Sequence, residues 1–107
     1  MQQIRVQQLA AWLADDTRAK PVLLDVREPW ELELCQLAGS QHIPMHLVPM
    51  RCEEIDAGRD VVVICHHGGR SMQVGMFLER KGFGSVHNLM GGLEAWAGEV
   101  DPNMRRY

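Results

Sequence analysis

The chain has 107 residues, of which 46% are hydrophobic and 23% are charged. A chain of this length and composition can bury a core of its own, so we expect one domain that needs neither disulfides nor a metal to fold. The net charge of −3 argues against nonspecific binding to nucleic acid, so any anion-binding site must be local.

The cysteines and the N-terminal segment indicate the cellular compartment in which the protein is expected to reside. Cys35, Cys52 and Cys65 are odd in number and widely spaced, which does not fit a disulfide framework and favours a reducing environment. The N-terminal segment has no apolar run after basic residues, and no stretch of about eighteen consecutive apolar residues occurs. We therefore expect a cytoplasmic protein with no membrane partner.

The first part of the chain predicts two strands and a helix. A short strand is expected near Ile4, and apolar residues then recur at helical spacing, which predicts an amphipathic helix over residues 6–15. Residues 21–26 form a short, mostly apolar run without alternation. Such a run is typical of a parallel strand that is covered on both faces.

A second strand leads into the most informative segment. Residues 61–64 are four consecutive β-branched residues, and the sequence Cys-His-His-Gly-Gly-Arg-Ser follows at 65–71. One apolar helical face is then expected over residues 74–78, with Gly82 where that helix would stop. The segment at 65–71 is therefore predicted to be a loop between a strand and a helix.

The last part of the chain completes the pattern. A short strand is expected at 85–89, and two glycines precede a last helix that includes Trp96. Residues 101–107 lack periodicity and are expected to be flexible. Strands that alternate with helices predict an α/β fold with a mainly parallel sheet, organised as one domain over residues 1–107.

Cys65 is the leading candidate for a nucleophile. In open α/β sheets, ligands bind beyond the carboxyl ends of the strands, which is where the sequence places Cys65. Each backbone N–H that points at a thiolate contributes about 1.5 to 3 kcal/mol, whereas a helix dipole contributes about 0.3 to 2 kcal/mol. The alternative is a small buried hydrophobe, but glycines, histidines and an arginine suit an anion cradle better than a core.

Three ordered blocks resemble a known family. The loop at 65–71, residues 25–28 (Asp-Val-Arg-Glu) and residues 88–96 (Asn-Leu-Met-Gly-Gly-Leu-Glu-Ala-Trp) look like those of a single-domain rhodanese, which is a sulfurtransferase. Residues 37–40 and 42–44 are similar to the family's glycine-containing segment and the Ile-Pro turn that follows it. The resemblance spans nearly the whole chain and implies a five-stranded parallel sheet flanked by helices.

The resemblance also implies a mechanism. Cys65 would take a sulfane sulfur from thiosulfate, a polysulfide or a persulfide, and would pass it as a persulfide to cyanide, a thiol or a protein thiol. No cofactor and no metal are required. The family's loop implies that backbone N–H groups hold the anionic sulfur, which makes the following residues the candidate substrate-binding set: His66, His67, Gly68, Gly69, Arg70 and Ser71.

Several side chains allow two interpretations. Arg70 could bind an anionic donor or brace the loop, and we favour donor binding slightly because the chain is acidic overall. His66 and His67 could contact substrate or face solvent. They stand where thiosulfate-using relatives carry Lys or Arg, which argues against efficient use of thiosulfate.

Other residues receive structural assignments. Arg27 is expected to pair with Glu31 at the start of a helix, near the strand end at Asp25. Cys35 and Cys52 lack a basic or glycine-rich context that would make them redox partners of Cys65.

A metal site is not expected. His42 and His46 lie four residues apart, which is a helical ligand spacing. Pro44 between them disfavours the regular helix that this spacing would need.

Two other functions remain as alternatives. Cysteine phosphatases and arsenate reductases also use a thiolate in an anion-binding loop, but they place five residues between Cys and Arg, and here four residues separate Cys65 from Arg70. The other alternative is a noncatalytic rhodanese-like binding or sulfur-carrier module. Such modules have often lost the loop cysteine, which this chain retains.

Overall fold

The computed structural model describes residues 1–107 as alternating strands and helices. The strands are β1 (Gln2–Ile4), β2 (Val22–Asp25), β3 (Gln41–His42), β4 (Val61–Ile64) and β5 (Val86–Leu89), and the helices are α1 (Val6–Ala14), α2 (Pro29–Leu34), α3 (Val48–Arg51), α4 (Gly69–Arg80) and α5 (Gly92–Glu99). The strands form one sheet in the order β1-β5-β4-β2-β3, and every pairing is parallel. The predicted α/β fold with a five-stranded parallel sheet flanked by helices is confirmed.

The burial of the central strand β4 on both faces explains its composition. Val61 and Val63 belong to a core cluster that includes residues of α3 and α4, whereas Val62 and Ile64 belong to a second cluster that includes residues of α1 and α5. Each of the four side chains is at most 1% exposed. A strand with both faces in a core has no polar face, which is why the β-branched residues are consecutive rather than alternating.

The strand register brings the carboxyl ends of the strands to one edge. Asp25 at the end of β2 pairs with Ile64 at the end of β4, and Val63 pairs with Asn88 near the end of β5. The loop after β4 therefore lies between the segments that follow β2 and β5. This is the edge at which parallel sheets bind their ligands.

Some elements were not predicted from the pattern of residues. Strand β3 has two residues, which is too few to show any periodicity, and only its pairing with β2 reveals it. Helix α3 has four residues and is flanked by short 3-10 turns. By contrast, α1 closely matches the helix predicted over residues 6–15.

The C-terminal segment returns to the sheet edge. Residues 101–107 contain turns but no helix or strand. Arg106 pairs with Glu94 of α5, and the Tyr107 ring stacks on His66 with ring centroids 3.9 Å apart. The flexibility of this segment stays a prediction. None of the helices has both the length and the apolar character that a bilayer span requires.

Candidate active site around Cys65

Cys65 follows β4 directly, and its side chain is buried, with 1% of the residue exposed. Its Sγ accepts hydrogen bonds from the backbone N–H of Gly68 at 3.0 Å and of Ser71 at 3.4 Å. The Ser71 hydroxyl lies 3.3 Å from the same sulfur. The structure thus places two N–H donors and one hydroxyl around the sulfur, a polar setting that a cysteine packed as a plain hydrophobe would not need.

Glycines allow the loop to close around the sulfur. Gly68 precedes α4 with a φ of +106°, a left-handed conformation that disfavours other residues, and a Cβ there would lie 3.3 Å from the Gly91 nitrogen. Gly92 has a φ of +56°, and a Cβ there would overlap the carbonyl oxygens of Cys65 and His66. The loop and the start of α5 therefore pack backbone against backbone.

The start of α5 fixes the loop. The N–H of Leu93 donates to the Cys65 carbonyl, and the N–H of Glu94 donates to the His66 carbonyl, both at 3.0 Å. These are N–H groups of the first helical turn, which have no partner inside a helix. The two bonds hold the chain direction at Cys65, so the loop has a defined shape before any ligand binds.

Only part of the expected donor set reaches the sulfur. Of the six residues after Cys65, Gly68 and Ser71 donate their N–H to Sγ. The N–H groups of the other four donate to no acceptor within the chain: His66, His67, Gly69 and Arg70. A second sulfur bound to Sγ could therefore find donors that the thiol itself does not occupy.

Arg70 is held by a buried carboxylate. Its Nη1 and Nη2 donate to the two carboxylate oxygens of Glu31 at 2.7 and 2.9 Å, and the Tyr107 hydroxyl donates to the same carboxylate at 2.7 Å. Burial by itself raises the pKa of Glu31, but hydrogen bonds from Arg70, the Glu28 N–H and Tyr107 outweigh it and lower the pKa to about 2. This geometry corresponds to the loop-bracing interpretation of Arg70.

The expected ion pair between Arg27 and Glu31 is wrong. Arg27 instead pairs with Asp25, through contacts of 2.7 to 3.1 Å, and both residues are 0% exposed. Arg27 does touch Glu31, but at the backbone carbonyl, 3.3 Å from Nη1. The Glu31 carboxylate instead binds Arg70, so each guanidinium has its own carboxylate.

His66 lies between two other rings. His67 stacks on one side at 4.0 Å between centroids and Tyr107 stacks at 3.9 Å. The Nε2 of His66 has no hydrogen-bond partner and lies 3.6 Å from a carboxylate oxygen of Glu94. Burial lowers the pKa of His66 and His67 adds to this effect, against the opposing influence of Glu94. His66 is therefore favoured in its neutral form.

One group of side chains has the composition of a metal site. Nitrogen and oxygen atoms of His66, His67 and Glu94 all lie within 4.8 Å of one another. The two imidazole rings are stacked at 28° to each other with centroids 4.0 Å apart, so their lone pairs lie in two separated, nearly parallel planes and converge poorly on one point. Arg106 also pairs with Glu94. This arrangement fits a single ion poorly.

Sequence reasoning assigned no role to Asn88, although it lies within one of the recognised blocks. Ser71 donates its hydroxyl proton to Asn88 Oδ1, and Asn88 Nδ2 donates to Gln3 Oε1 at 2.9 Å. Asn88 is 2% exposed and lies between His87 and Leu89 near the end of β5. The sequence signal for Asn88 is a polar amide in a strand that is expected to be buried on both faces. Such a buried amide must find hydrogen-bond partners, which points to a neighbouring polar group.

The other two cysteines lie outside this ring of donors. Cys35 follows the last residue of α2, with its Sγ 3.8 Å from Nη1 of Arg27, and Cys52 starts a 3-10 turn after α3. Both are free thiols and partly buried. Their lack of a redox role stays a prediction.

A parallel sheet whose central strand ends in a buried cysteine, inside a loop of N–H donors that opens a helix, defines a rhodanese-like domain. The family model for the rhodanese-like domain matches residues 6–99 of the chain. The chain therefore belongs to the rhodanese-like family, as its sequence blocks indicated.

Comparison with individual proteins gives the same result. A sulfurtransferase of Allochromatium vinosum is 43% identical over 76 residues, which cover 71% of this chain and 71% of that protein. A thiosulfate sulfurtransferase of Pseudomonas fluorescens is 35% identical over 70% of this chain and 69% of that protein. The crystal structure of a rhodanese-related protein from Thermoplasma volcanium superposes with a TM-score of 0.83 at 29% identity, covering 94% of both chains.

Proposed function

We propose that this protein is a sulfurtransferase in which Cys65 carries the transferred sulfur. The observation that carries the proposal is the donor set at Sγ: the Gly68 and Ser71 N–H groups at 3.0 and 3.4 Å, with further N–H groups of the loop free. These groups stabilise negative charge on the thiolate before reaction and on the outer sulfur after it. No metal and no organic cofactor takes part.

The reaction consists of two displacements at sulfur. The Cys65 thiolate attacks the sulfane sulfur of the donor, a new S–S bond forms, and the old bond breaks so that the donor leaves as a thiolate or as sulfite. An acceptor thiolate or cyanide then attacks the outer sulfur, and Cys65 leaves as the thiolate. Electrons and atoms balance without an oxidant, as in other covalent mechanisms with two half-reactions.

The charges around the loop favour a persulfide or polysulfide donor over thiosulfate. Arg70 is bound by both oxygens of the Glu31 carboxylate, and His66 is favoured in its neutral form. A small dianion such as thiosulfate would therefore meet no unpaired cation from these residues. A persulfide needs less compensating charge, and its organic part can contact the rim of the site.

The size of the loop opposes a phosphatase function. The four residues between Cys65 and Arg70 form a tighter ring than the five of cysteine phosphatases, and the N–H groups of Gly68 and Ser71 already converge on one sulfur atom. This arrangement suits a single sulfur better than a tetrahedral phosphate.

Three free cysteines fit a reducing, cytoplasmic location, where thiols can serve as acceptors.

Donor treatment followed by peptide mapping tests the proposal. The protein is incubated with glutathione persulfide, polysulfide or thiosulfate, and we expect one added sulfur on the Cys65 peptide that cyanide removes as thiocyanate. Cys65→Ser should abolish both steps, whereas Cys52→Ser is the matched control and should retain them. Turnover that survives in Cys65→Ser would refute the proposal.

Two further measurements on the same variants separate the alternatives. A sulfur added to Cys65 that neither cyanide nor a thiol can remove at a catalytic rate would identify a sulfur carrier. Hydrolysis of an aryl phosphate that depends on Cys65 would identify a phosphatase. Either result would overturn the sulfurtransferase assignment.

A further inference from the structure

A buried hydrogen-bonded chain leads from the surface to the Cys65 sulfur. Gln3 of β1 accepts from Asn88 of β5, Asn88 accepts from the Ser71 hydroxyl, and the Ser71 oxygen lies 3.3 Å from Cys65 Sγ. Ser71 is 0% exposed and Asn88 is 2% exposed. Competition from bulk water at these two residues is therefore small, and their hydrogen-bond directions are set by the protein.

Counting protons shows which state of the thiol this arrangement fits. A serine hydroxyl has one proton, and Ser71 donates it to Asn88 Oδ1. The proton between Ser71 and Cys65 must then come from the thiol, with Ser71 as the acceptor. The observed arrangement therefore fits the neutral thiol. A thiolate or persulfide anion would be stabilised only after Ser71 turned its proton toward the sulfur.

We propose that Asn88 is a positioning residue that controls the direction of the Ser71 hydroxyl proton and, through it, the balance between thiol and thiolate at Cys65. While Asn88 accepts the proton, Ser71 favours the thiol. When the proton turns to the sulfur, Ser71 becomes a third donor to the anion, beside the Gly68 and Ser71 N–H groups. The inference rests on Cys65 as the reacting sulfur, the function proposed above.

Other charged groups near the sulfur must be kept constant in a test. They come from the loop, from α2, α4 and α5, and from the end of β2: His66, His67, Glu31, Arg70, Glu94, Asp25 and Arg27. None of them donates to or accepts from the side chains of Ser71 or Asn88. Substitutions at these two positions therefore leave the other charges in place.

The test is a double-mutant cycle on the pH dependence of Cys65 alkylation. Iodoacetamide labelling of Cys65 is followed by peptide mass spectrometry from pH 5 to 10 in the full chain, and the readout is the pH of half-maximal rate. Asn88→Leu and Asn88→Ala remove the acceptor and release the Ser71 proton to the thiolate, so we expect this pH to fall by about one unit. Asn88→Asp keeps a permanent acceptor and adds charge, so we expect a rise of at least about one unit.

The Ser71→Ala background shows whether the effect runs through the hydroxyl. In that background Asn88→Leu and Asn88→Ala should leave the half-maximal pH unchanged, and Asn88→Asp should retain only the part due to its charge. Thermal unfolding of each variant checks that it is folded. If Asn88→Asp does not fold, the two apolar variants still decide the sign.

Two results would overturn the inference. One is a shift in the same direction for the apolar and the acidic variants, which is the signature of a loosened loop. The other is a shift of equal size with and without the Ser71 hydroxyl. Alkylation needs no sulfur donor, so failure of the proposed sulfur transfer and failure of this inference are read from separate measurements.

Discussion

Glu31 offers the sharpest test of how the loop is held. Glu31→Gln keeps the shape of the side chain but removes the charge that Arg70 and Tyr107 share. The Glu31 side chain is only 3% exposed. Removing the carboxylate of such a pair leaves the Arg70 guanidinium without its charged partner. Breaking an ion pair by removing one partner costs more than replacing both.

The pKa of Glu31 gives the magnitude. A decrease from 4.5 to about 2 corresponds to about 3 kcal/mol of differential stability. The Arg70 side chain is 36% exposed, so solvent weakens the pair and we expect about 2 kcal/mol. For a chain of this size that lowers the melting temperature by roughly 10 °C at pH 7.

The pH dependence gives the sign. The folded-state pKa lies below the unfolded value, so the stabilisation is fully present above pH 4.5 and is lost as the pH falls toward about 2. Thermal unfolding followed by circular dichroism at several pH values from 7 down to 3 measures this. The difference between wild type and Glu31→Gln should be constant above about pH 5.5 and should shrink below pH 4.5.

Glu33→Gln is the matched control. Glu33 lies on the same helix and is exposed, without an ion pair, so its substitution should change stability by less than about 0.5 kcal/mol. A melting temperature of Glu31→Gln equal to that of wild type at pH 7 would refute the bracing role. A difference between the two proteins that stays constant down to pH 3 would refute the pKa argument.

Two further predictions follow from the same geometry. Arg70→Ala should lower stability by about 1 to 3 kcal/mol and should impair transfer from a neutral organic polysulfide as much as transfer from thiosulfate, because the guanidinium braces the loop; a selective rise in the KM for thiosulfate would instead identify a donor-binding residue. Gly92→Ala should destabilise the fold by more than about 2 kcal/mol in urea unfolding, since its Cβ would overlap the Cys65 carbonyl at a positive φ, whereas Gly69→Ala, with no atom within 4 Å of its Cβ, should stay within about 1 kcal/mol of wild type.

The sequence predicted the parts of the site that are local. The sequence has a β-branched run, then Cys65, then two glycines and a helical pattern, which together predict a strand, a loop and a helix. The conformation of each of these residues depends mainly on its neighbours in the chain. Gly68 has the positive φ that such a loop requires. The position of Cys65 at the end of β4 followed from the same local signals.

The partners of the charged residues could not be predicted in the same way. Arg27 and Glu31 are four residues apart, which suggests a local pair, yet Glu31 binds Arg70, thirty-nine residues away. That choice depends on which distant groups the folded chain brings together, which composition and periodicity do not encode. The same holds for Asn88 and Ser71, which are seventeen residues apart. It also holds for β3, whose two residues become a strand only by pairing with β2.

The charged groups behind the loop form one neutralised network. Asp25 pairs with Arg27, Arg27 donates to the Tyr107 hydroxyl at 3.0 Å, and that hydroxyl donates to Glu31, which binds Arg70. Burial raises the pKa of Tyr107 to about 12, with Arg27 and Glu31 acting in opposite directions, so the phenol stays a neutral donor that can bridge the two ion pairs.

Neutralisation has a consequence for the chemistry at Cys65. Because each guanidinium is already matched by a carboxylate, the negative charge on the sulfur must be stabilised mainly by dipoles: the N–H groups of the loop and the Ser71 hydroxyl. The N–H groups are fixed before reaction and stabilise an anion without reorganisation, whereas the Ser71 hydroxyl must first turn its proton to the sulfur. In the function proposed above, such dipoles would stabilise a singly charged sulfur on Cys65 without attracting small dianions from solution. This is the reason to expect a persulfide or polysulfide, rather than thiosulfate, as the sulfur donor.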